Sequence, residues 1–278
     1  MKFSFGKRVL DLSTPRVMGV LNVTPDSFSD GGQYTRIDSA MRQVELMISE
    51  GAAIIDIGGE STRPGASPVP ESEELDRVCP LVEEVCKRFD TIISLDTSTA
   101  AVMREGVKKG ANMINDVRAL SRVGSFQAAK ELDVPVCLMH MQGSPKTMQL
   151  NPSYTDTVNQ VKGFFDDLLN RYDELGLAKE KMMIDPGFGF GKGLEHNLQL
   201  LHSLKDFCQF PVPVVVGLSR KSMLGAITKR DIKHRLAGSL AAATIAVYNG
   251  AHIVRAHDVA ATLDTIKIAA AVRGECNE

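Results

Sequence analysis

Short apolar runs rich in valine and isoleucine recur along the chain, and each is followed by a stretch whose apolar residues return with helical period. The runs are Val17 to Val23, Ala53 to Ile57, Thr91 to Leu95, Met113 to Asn115, Val134 to Met139, Met182 to Ile184, Pro213 to Leu218 and Ala251 to Val254. Within each run hydrophobicity is continuous rather than alternating, so both faces of the sheet are expected to be covered. Eight parallel strands alternating with helices predict an α/β fold closed as a (β/α)8 TIM barrel. Residues 1–278 are expected to form one such domain, since no low-complexity linker divides them.

The helical stripes are legible too. Ile37, Ala40, Met41, Val44 and Met47 make one, and Leu75, Val78, Val82, Val85 and Phe89 a second, which Pro80 is expected to kink or split. Two more stripes, Ala237, Leu240, Ala241, Thr244 and Tyr248, then Val259, Leu263, Ile266 and Ala270, predict helices that cover the outside of the barrel. Met1 to Leu12, with a Phe-Gly-Lys turn inside it, reads as an N-terminal hairpin plugging the bottom of the barrel.

Hydrophobic residues make up 44% of the 278 positions and charged residues 24%, which suits a sizeable buried core and excludes a disordered or fibrous chain. With 32 Lys+Arg against 34 Asp+Glu, the net charge of −2 sets up no overall field for nucleic acid or an anionic membrane, and any basic site must be local. The absence of Trp and an aromatic content of 5% argue against a base-stacking platform. No apolar run reaches the ~18 residues of a membrane span, and the first residues break up their apolar positions too often for a signal segment, so a cytoplasmic protein is expected. Cys79, Cys86, Cys137, Cys208 and Cys276 form no C-x-x-C pair; the first four, among apolar neighbours, are expected to be inert and mostly buried.

Catalytic groups in a barrel of this kind project from the C-terminal ends of the strands. Here those ends carry Asn22, Asp56 with Gly58 to Arg63, Asp96-Thr97, Asn115-Asp116, His140, Asp185, Ser219-Arg220-Lys221, and Arg255 with His257-Asp258. Turn and cap duties account for some of them: Asp258, Asp116 and Ser222 fit helix caps, and His140 fits a hydrogen-bonded wall residue. They do not account for so many polar ends at once, nor for the cations Arg63, Lys221 and Arg255 among them, which suit an anionic substrate. Asp56, Asp96, Asn115 and Asp185 supply the acceptors and amide that would grip a ring with adjacent N–H donors, such as a 2-amino-4-oxo edge. The run from Asp185 to Gly193 has the wrong spacing for a phosphate loop and reads instead as a tight turn that lets backbone approach a flat ligand. The six histidines show no zinc spacing.

Five segments, LNVTPDSFSDGG (Leu21 to Gly32), DIGGESTRPG (Asp56 to Gly65), DPGFGFGK (Asp185 to Lys192), GLSRKS (Gly217 to Ser222) and VRAHDV (Val254 to Val259), resemble the signatures of the dihydropteroate synthase family, in order along nearly the whole chain. The resemblance implies a barrel enzyme of folate biosynthesis, commonly a homodimer and a target of sulfonamides. It further implies a transferase that joins 6-hydroxymethyl-7,8-dihydropterin diphosphate to p-aminobenzoate, releasing pyrophosphate with the help of Mg2+. Carried over residue by residue, it assigns Asp96, Asn115, Asp185 and Lys221 to the pterin. Asn22, Arg63, Arg255 and His257 fall to the diphosphate, with Asn22 also at the metal, and Thr62, Arg63, Pro64 and Ser219 to p-aminobenzoate. Asp96, Asp185, Lys221, Arg255 and His257 are the groups expected to carry the chemistry. The family's loops around Asn22 and Thr62 order over substrate, and the Gly/Ser/Pro-rich composition of 26–32 and 58–68 agrees with that.

The residues also permit other readings. A pterin-dependent methyltransferase of the same barrel family would share the Asp/Asn pocket but has no use for Arg255, His257 and the Arg63 segment at a diphosphate. A Schiff-base aldolase would need Lys221 inside an apolar strand, whereas it follows Ser219-Arg220. A silent pterin-binding paralogue should have lost motif residues, and none is missing.

Overall fold

The computed structural model describes residues 1–23, 33–62 and 65–275, and over 33–36 the backbone alone. Strands β1 (Lys2–Phe5) and β2 (Arg8–Asp11) pair antiparallel as the expected hairpin. The barrel strands follow: β3 (Arg16–Asn22), β4 (Ile54–Gly58), β5 (Ile92–Asp96), β6 (Met113–Asp116), β7 (Val136–Met139), β8 (Met182–Asp185), β9 (Val215–Gly217) and β10 (Ile253–Ala256). They run parallel in the order β8-β7-β6-β5-β4-β3-β10-β9. A bridge between Ile184 and Val214, with Ile184 N–H donating to the Pro213 carbonyl at 3.0 Å, brings β8 to β9 and nearly closes the barrel. Helices α1 (Gln33–Ser49), α2 (Glu71–Arg88), α3 (Ala100–Lys108), α4 (Ser125–Leu132) and α5 (Thr157–Glu174) surround one half. Helices α6 (Leu194–His202), α7 (Leu204–Phe207), α8 (Ser222–Thr228), α9 (Leu236–Tyr248) and α10 (Val259–Val272) surround the other.

Period-two alternation divides each strand between two cores. Ile55, Ile57, Ile93, Leu95, Ile114, Val136, Leu138, Ile184, Val216 and Val254 pack outward against the helices. Met18, Ile54, Ile92, Met113, Cys137, Met183, Val215 and Ile253 point into the lumen, where Phe3 and Phe5 of the hairpin close the layer from below. Burying a side chain such as Phe5 contributes about 1.5–3 kcal/mol, so the hairpin is held by its own apolar anchors. The lumen is therefore filled at the bottom, and the next lumen-facing positions up the strands are 20, 56, 94, 115, 139, 185, 217 and 255, with 96 one step further up β5.

Three expectations are corrected. Helix α2 is not split at Pro80 but continues through it; the missing N–H would have bonded the carbonyl of Asp76, an exposed residue, while Val78, Val82 and Val85 bury the opposite face on both sides of the proline. On α9 the buried face is Ser239, Ala242, Ala243, Ala246 and Val247, so the stripe Ala237, Leu240, Ala241, Thr244 and Tyr248 lies to the outside. The helix is apolar nearly all round, which leaves periodicity no means of choosing the inner face. Cys86 is exposed rather than buried. Among the described residues no helix is long and apolar enough to cross a membrane.

Candidate active site

The lumen positions above the apolar layer carry the polar groups. Asp96 and Asn115 are cross-strand partners on β5 and β6, and Asp56 lies opposite Ser94 on the adjoining pair of β4 and β5. Arg255 on β10 spans this floor: its Nε donates to Asp56 Oδ2 at 2.6 Å and one terminal nitrogen donates to Asp96 Oδ2 at 2.8 Å. Asn115 Nδ2 donates to the same Asp56 oxygen at 3.2 Å. The other oxygens, Asp56 Oδ1 and Asp96 Oδ1, and the Ser94 hydroxyl are buried and have no hydrogen-bond partner among the described residues. Burial raises the Asp96 carboxyl to about 7, against the attraction of Arg255. Burial also disfavours the Arg255 charge, but Asp56 and Asp96 outweigh it and hold that pKa above its usual value.

Asp185 ends β8 and accepts the Gly187 N–H on Oδ1 at 2.8 Å, yet burial still raises its pKa. Lys221 faces it from the β9–α8 turn. Burial lowers the Lys221 amine to about 8, while the Asp185 charge pulls the other way. Its Nζ stands 4.2 Å from the centre of the Phe190 ring, a cation–π contact. Local backbone explains how Lys221 is aimed: Arg220 adopts φ 58°, an uncommon conformation for a non-glycine residue. Its guanidinium turns outward to Asp258 at 3.1 and 2.5 Å, so Asp258 is a salt-bridge partner and makes no side-chain cap on α10. The Arg235 guanidinium holds the turn by donating to the carbonyls of Arg220 (3.1 Å) and Lys221 (3.3 Å).

Ser219 and His257, assigned to different subsites by resemblance, touch: Ser219 Oγ accepts the His257 N–H at 3.3 Å and lies 3.0 Å from its Nδ1. Asn22, partly exposed, ends β3, the strand hydrogen-bonded to β10. Thr62 is partly buried, and Arg63 and Pro64 lie outside the described residues. The Arg255 guanidinium, carried over by resemblance to the diphosphate, pairs with Asp56 and Asp96 in the floor.

Some polar groups serve the scaffold. Buried Asp116 accepts from the Ser98 hydroxyl and from the N–H groups of Arg118 (2.8 Å) and Leu120 (2.9 Å), tying down the loop after β6. Glu60, two residues before Thr62, forms a paired contact with Arg118 at 3.2 Å through both carboxylate oxygens. His140 is the wall residue expected, its pKa driven down to about 3 by burial and then by neighbouring Lys192. Sequence reasoning gave Lys192 no role and Asp56 none beyond an acceptor; lumen parity with Ser94 and Asp96 was the available signal for Asp56. Among the described residues no cluster of three or more His, Cys, Asp or Glu could hold a metal. A surface groove lined by Glu83, Cys86, Lys87, Lys108 and Lys109 lies on α2 and α3, away from the strand ends.

A plugged α/β barrel whose upper lumen gathers three carboxylates, an amide, an arginine and a lysine at the strand ends has the form of a small-molecule enzyme. Residues 18–257 match the family described as pterin binding enzyme. The dihydropteroate synthase of Haemophilus influenzae is 53% identical over 268 residues, 96% of this chain and 98% of its own. A Yersinia pestis dihydropteroate synthase solved in a sulfonamide drug complex is 50% identical, with a TM-score of 0.94 over 99% of this chain and 100% of that one. A Xanthomonas albilineans dihydropteroate synthase solved with 4-aminobenzoic acid is 45% identical, with a TM-score of 0.92 over 98% of each chain. The chain belongs to the dihydropteroate synthase family of pterin binding enzymes.

Proposed function

We propose that the chain condenses 6-hydroxymethyl-7,8-dihydropterin diphosphate with p-aminobenzoate, giving 7,8-dihydropteroate and pyrophosphate. The observation that carries this reading is the excess of buried acceptors over donors around Asp56, Asp96 and Asp185, which suits a flat ring presenting several N–H donors. Asp96, Asn115, Asp185 and Lys221 hold the pterin. The C–O bond from the pterin methylene to the diphosphate breaks first, and the positive charge left behind spreads into the ring. In their ionised form Asp96 and Asp185, held in a site of low dielectric, stabilise that charge more than they would in water. The neutral amine of p-aminobenzoate then attacks the methylene carbon and releases its proton.

His257, just past β10, and Asn22, at the end of neighbouring β3, serve the diphosphate, with Arg255 reaching it from the floor and Arg63 from the segment beyond Thr62. Thr62, Arg63, Pro64 and Ser219 line the p-aminobenzoate side, where a sulfonamide would compete, as the Yersinia relative's complex suggests. Mg2+ fits the donor set, since the Asn22 side chain offers a hard oxygen and this ion keeps most of its waters while borrowing substrate phosphate oxygens. When bound it would neutralise diphosphate charge. The exposed apolar face of α9 and α10, with Ile245 47%, Tyr248 59%, Ile268 65% and Val272 69% exposed, supports a homodimer formed there. A pyrophosphate-release assay with the pterin diphosphate, with and without p-aminobenzoate, tests the reaction: release independent of p-aminobenzoate, or none, rejects it.

A further inference from the structure

Beneath the glycine loop after β8 lies a buried amine that the reaction above does not use. Lys192 is 2% exposed. Its Nζ sits 2.9 Å from His140 Nδ1, 3.2 Å from the His140 carbonyl oxygen, and 3.0 Å from the carbonyl oxygens of both Gly187 and Phe190. All four are acceptors when His140 carries its proton on Nε2, and an ammonium is the one form of the side chain that offers three N–H groups and no lone pair. Burial lowers this amine to about 7, with the Asp185 charge opposing the shift. A methionine would fill similar space with no charge to desolvate, so packing alone does not call for a lysine here.

The acceptors come from two segments, the end of β7 and the turn 187–190. That turn is pressed onto the first segment: Gly187 and Gly191 have φ +72° and +62°, and a Cβ at either would run into the carbonyl oxygen of His140 or Gln142. Its other side carries groups that face the pocket. Gly187 N–H donates to Asp185 at 2.8 Å, and the Phe190 ring supports Lys221 at 4.2 Å. Asn197 steadies the far end, accepting the Gly189 N–H at 2.7 Å and donating to the Lys192 carbonyl at 3.2 Å.

We propose that Lys192 is a positioning residue: its ammonium gathers His140 and the 187–190 carbonyls, and so fixes the turn that sets Asp185 and Lys221 against the pterin. The inference deepens the pterin reading and rests on it for the ligand, though not for the loop. The test uses the full chain with Lys192→Met, His140→Gln and His140→Leu. Hydrogen exchange reads the 187–191 amides, calorimetry reads a pterin without phosphates, and pyrophosphate release reads KM for each substrate. Lys192→Met should speed exchange in the loop but not in β4 to β6. It should weaken pterin and raise KM for the pterin diphosphate by roughly tenfold or more, with little change in KM for p-aminobenzoate. His140→Gln, which keeps an acceptor, should retain the affinity that His140→Leu loses, and this pair decides the matter if Lys192→Met does not fold. Parental pterin affinity in Lys192→Met, or equal affinity in the two His140 variants, overturns the proposal. If the unaltered protein binds no pterin, the pterin reading fails. Exchange then decides alone: a faster loop in Lys192→Met supports positioning and an unchanged one overturns it.

Discussion

Asp185→Asn separates the binding role of the floor carboxylates from their cost to the fold. Among the described residues the donor to Asp185 is the Gly187 N–H at 2.8 Å. An asparagine can still present an oxygen to that N–H, but its amide nitrogen then replaces an anionic acceptor and meets the pterin's own N–H donors. Losing hydrogen bonds to a charged group costs about 1.5–3 kcal/mol, or roughly 10- to 150-fold in Kd. Stability should move the other way. The Asp185 pKa is raised, chiefly by burial and against the Gly187 N–H and the Lys221 charge, so between the ordinary carboxylate range and that raised value the native state binds more protons than the unfolded one. A raised carboxylate therefore destabilises the fold above its folded pKa, and the cost disappears as pH falls below the unfolded value near 3.8. Asparagine removes the cost, so the variant's melting temperature at pH 8 should equal or exceed the parent's, and the gain should shrink toward pH 4. Calorimetry with a pterin lacking phosphates and thermal melts at both pH values make the comparison. Unchanged affinity would refute the anchoring role, and a variant that binds weakly but also melts several degrees lower at pH 8 would refute the division of labour.

Arg255→Met strands Asp56 and Asp96 in the floor, with an expected cost of about 3–5 kcal/mol. Because Asp96 titrates near 7 and its cost falls once protonated, the loss of melting temperature should be larger at pH 8 than at pH 5; equal losses would count against the pairing. His257→Ala should weaken the pterin diphosphate by roughly tenfold while leaving a pterin without phosphates nearly untouched, and weakening of both by one factor would remove His257 from the diphosphate. Arg118→Met leaves Glu60, 6% exposed, without its partner beside Thr62, and should raise KM for p-aminobenzoate more than KM for the pterin diphosphate. Ile245→Lys with Tyr248→Lys should yield monomers by sedimentation if the outer face of α9 joins two copies, whereas a persistent dimer would place the interface elsewhere.

The barrel was legible because its strands are short, Val/Ile-rich and covered on both sides, and the structure shifts most of their bounds by only one or two residues. The polar strand ends were legible for the same reason, since Asp96, Asn115 and Asp185 each terminate an apolar run. What the chain could not reveal was pairing across distance. Nothing local tells Arg255 to reach back 199 positions to Asp56. Likewise Ser219 and His257 meet only because β9 and β10 are neighbours in register. Helix α9 defeated periodicity because apolar residues surround it. Pro80 defeated propensity because the packing of Val78, Val82 and Val85 outweighs one lost hydrogen bond on the exposed side. Lys192 looked like the last letter of a glycine loop, and its burial is a tertiary fact.

The lumen joins stability to chemistry in a way that neither the strands nor the site residues show separately. Phe3 and Phe5 seal the apolar layer of Met18, Ile54, Ile92, Met113, Cys137, Met183, Val215 and Ile253. Above it on the strands stand Asp56, Asp96, Asp185 and Arg255, with Lys221 reaching in from the β9–α8 turn. Burial is the chief cause that moves Asp96 toward 7 and Lys221 toward 8, so the dry surroundings, more than any single neighbour, set these groups' electrostatics. A charge that is costly to hold in low dielectric is also one that acts strongly on a ligand bearing opposite charge, because water screens little of the interaction. The Arg255 pairs and the Lys192 cluster keep the cost bearable in the free protein without covering the acceptors with a flexible partner. The N-terminal hairpin, remote from every reacting atom, is therefore part of what gives the carboxylates their strength.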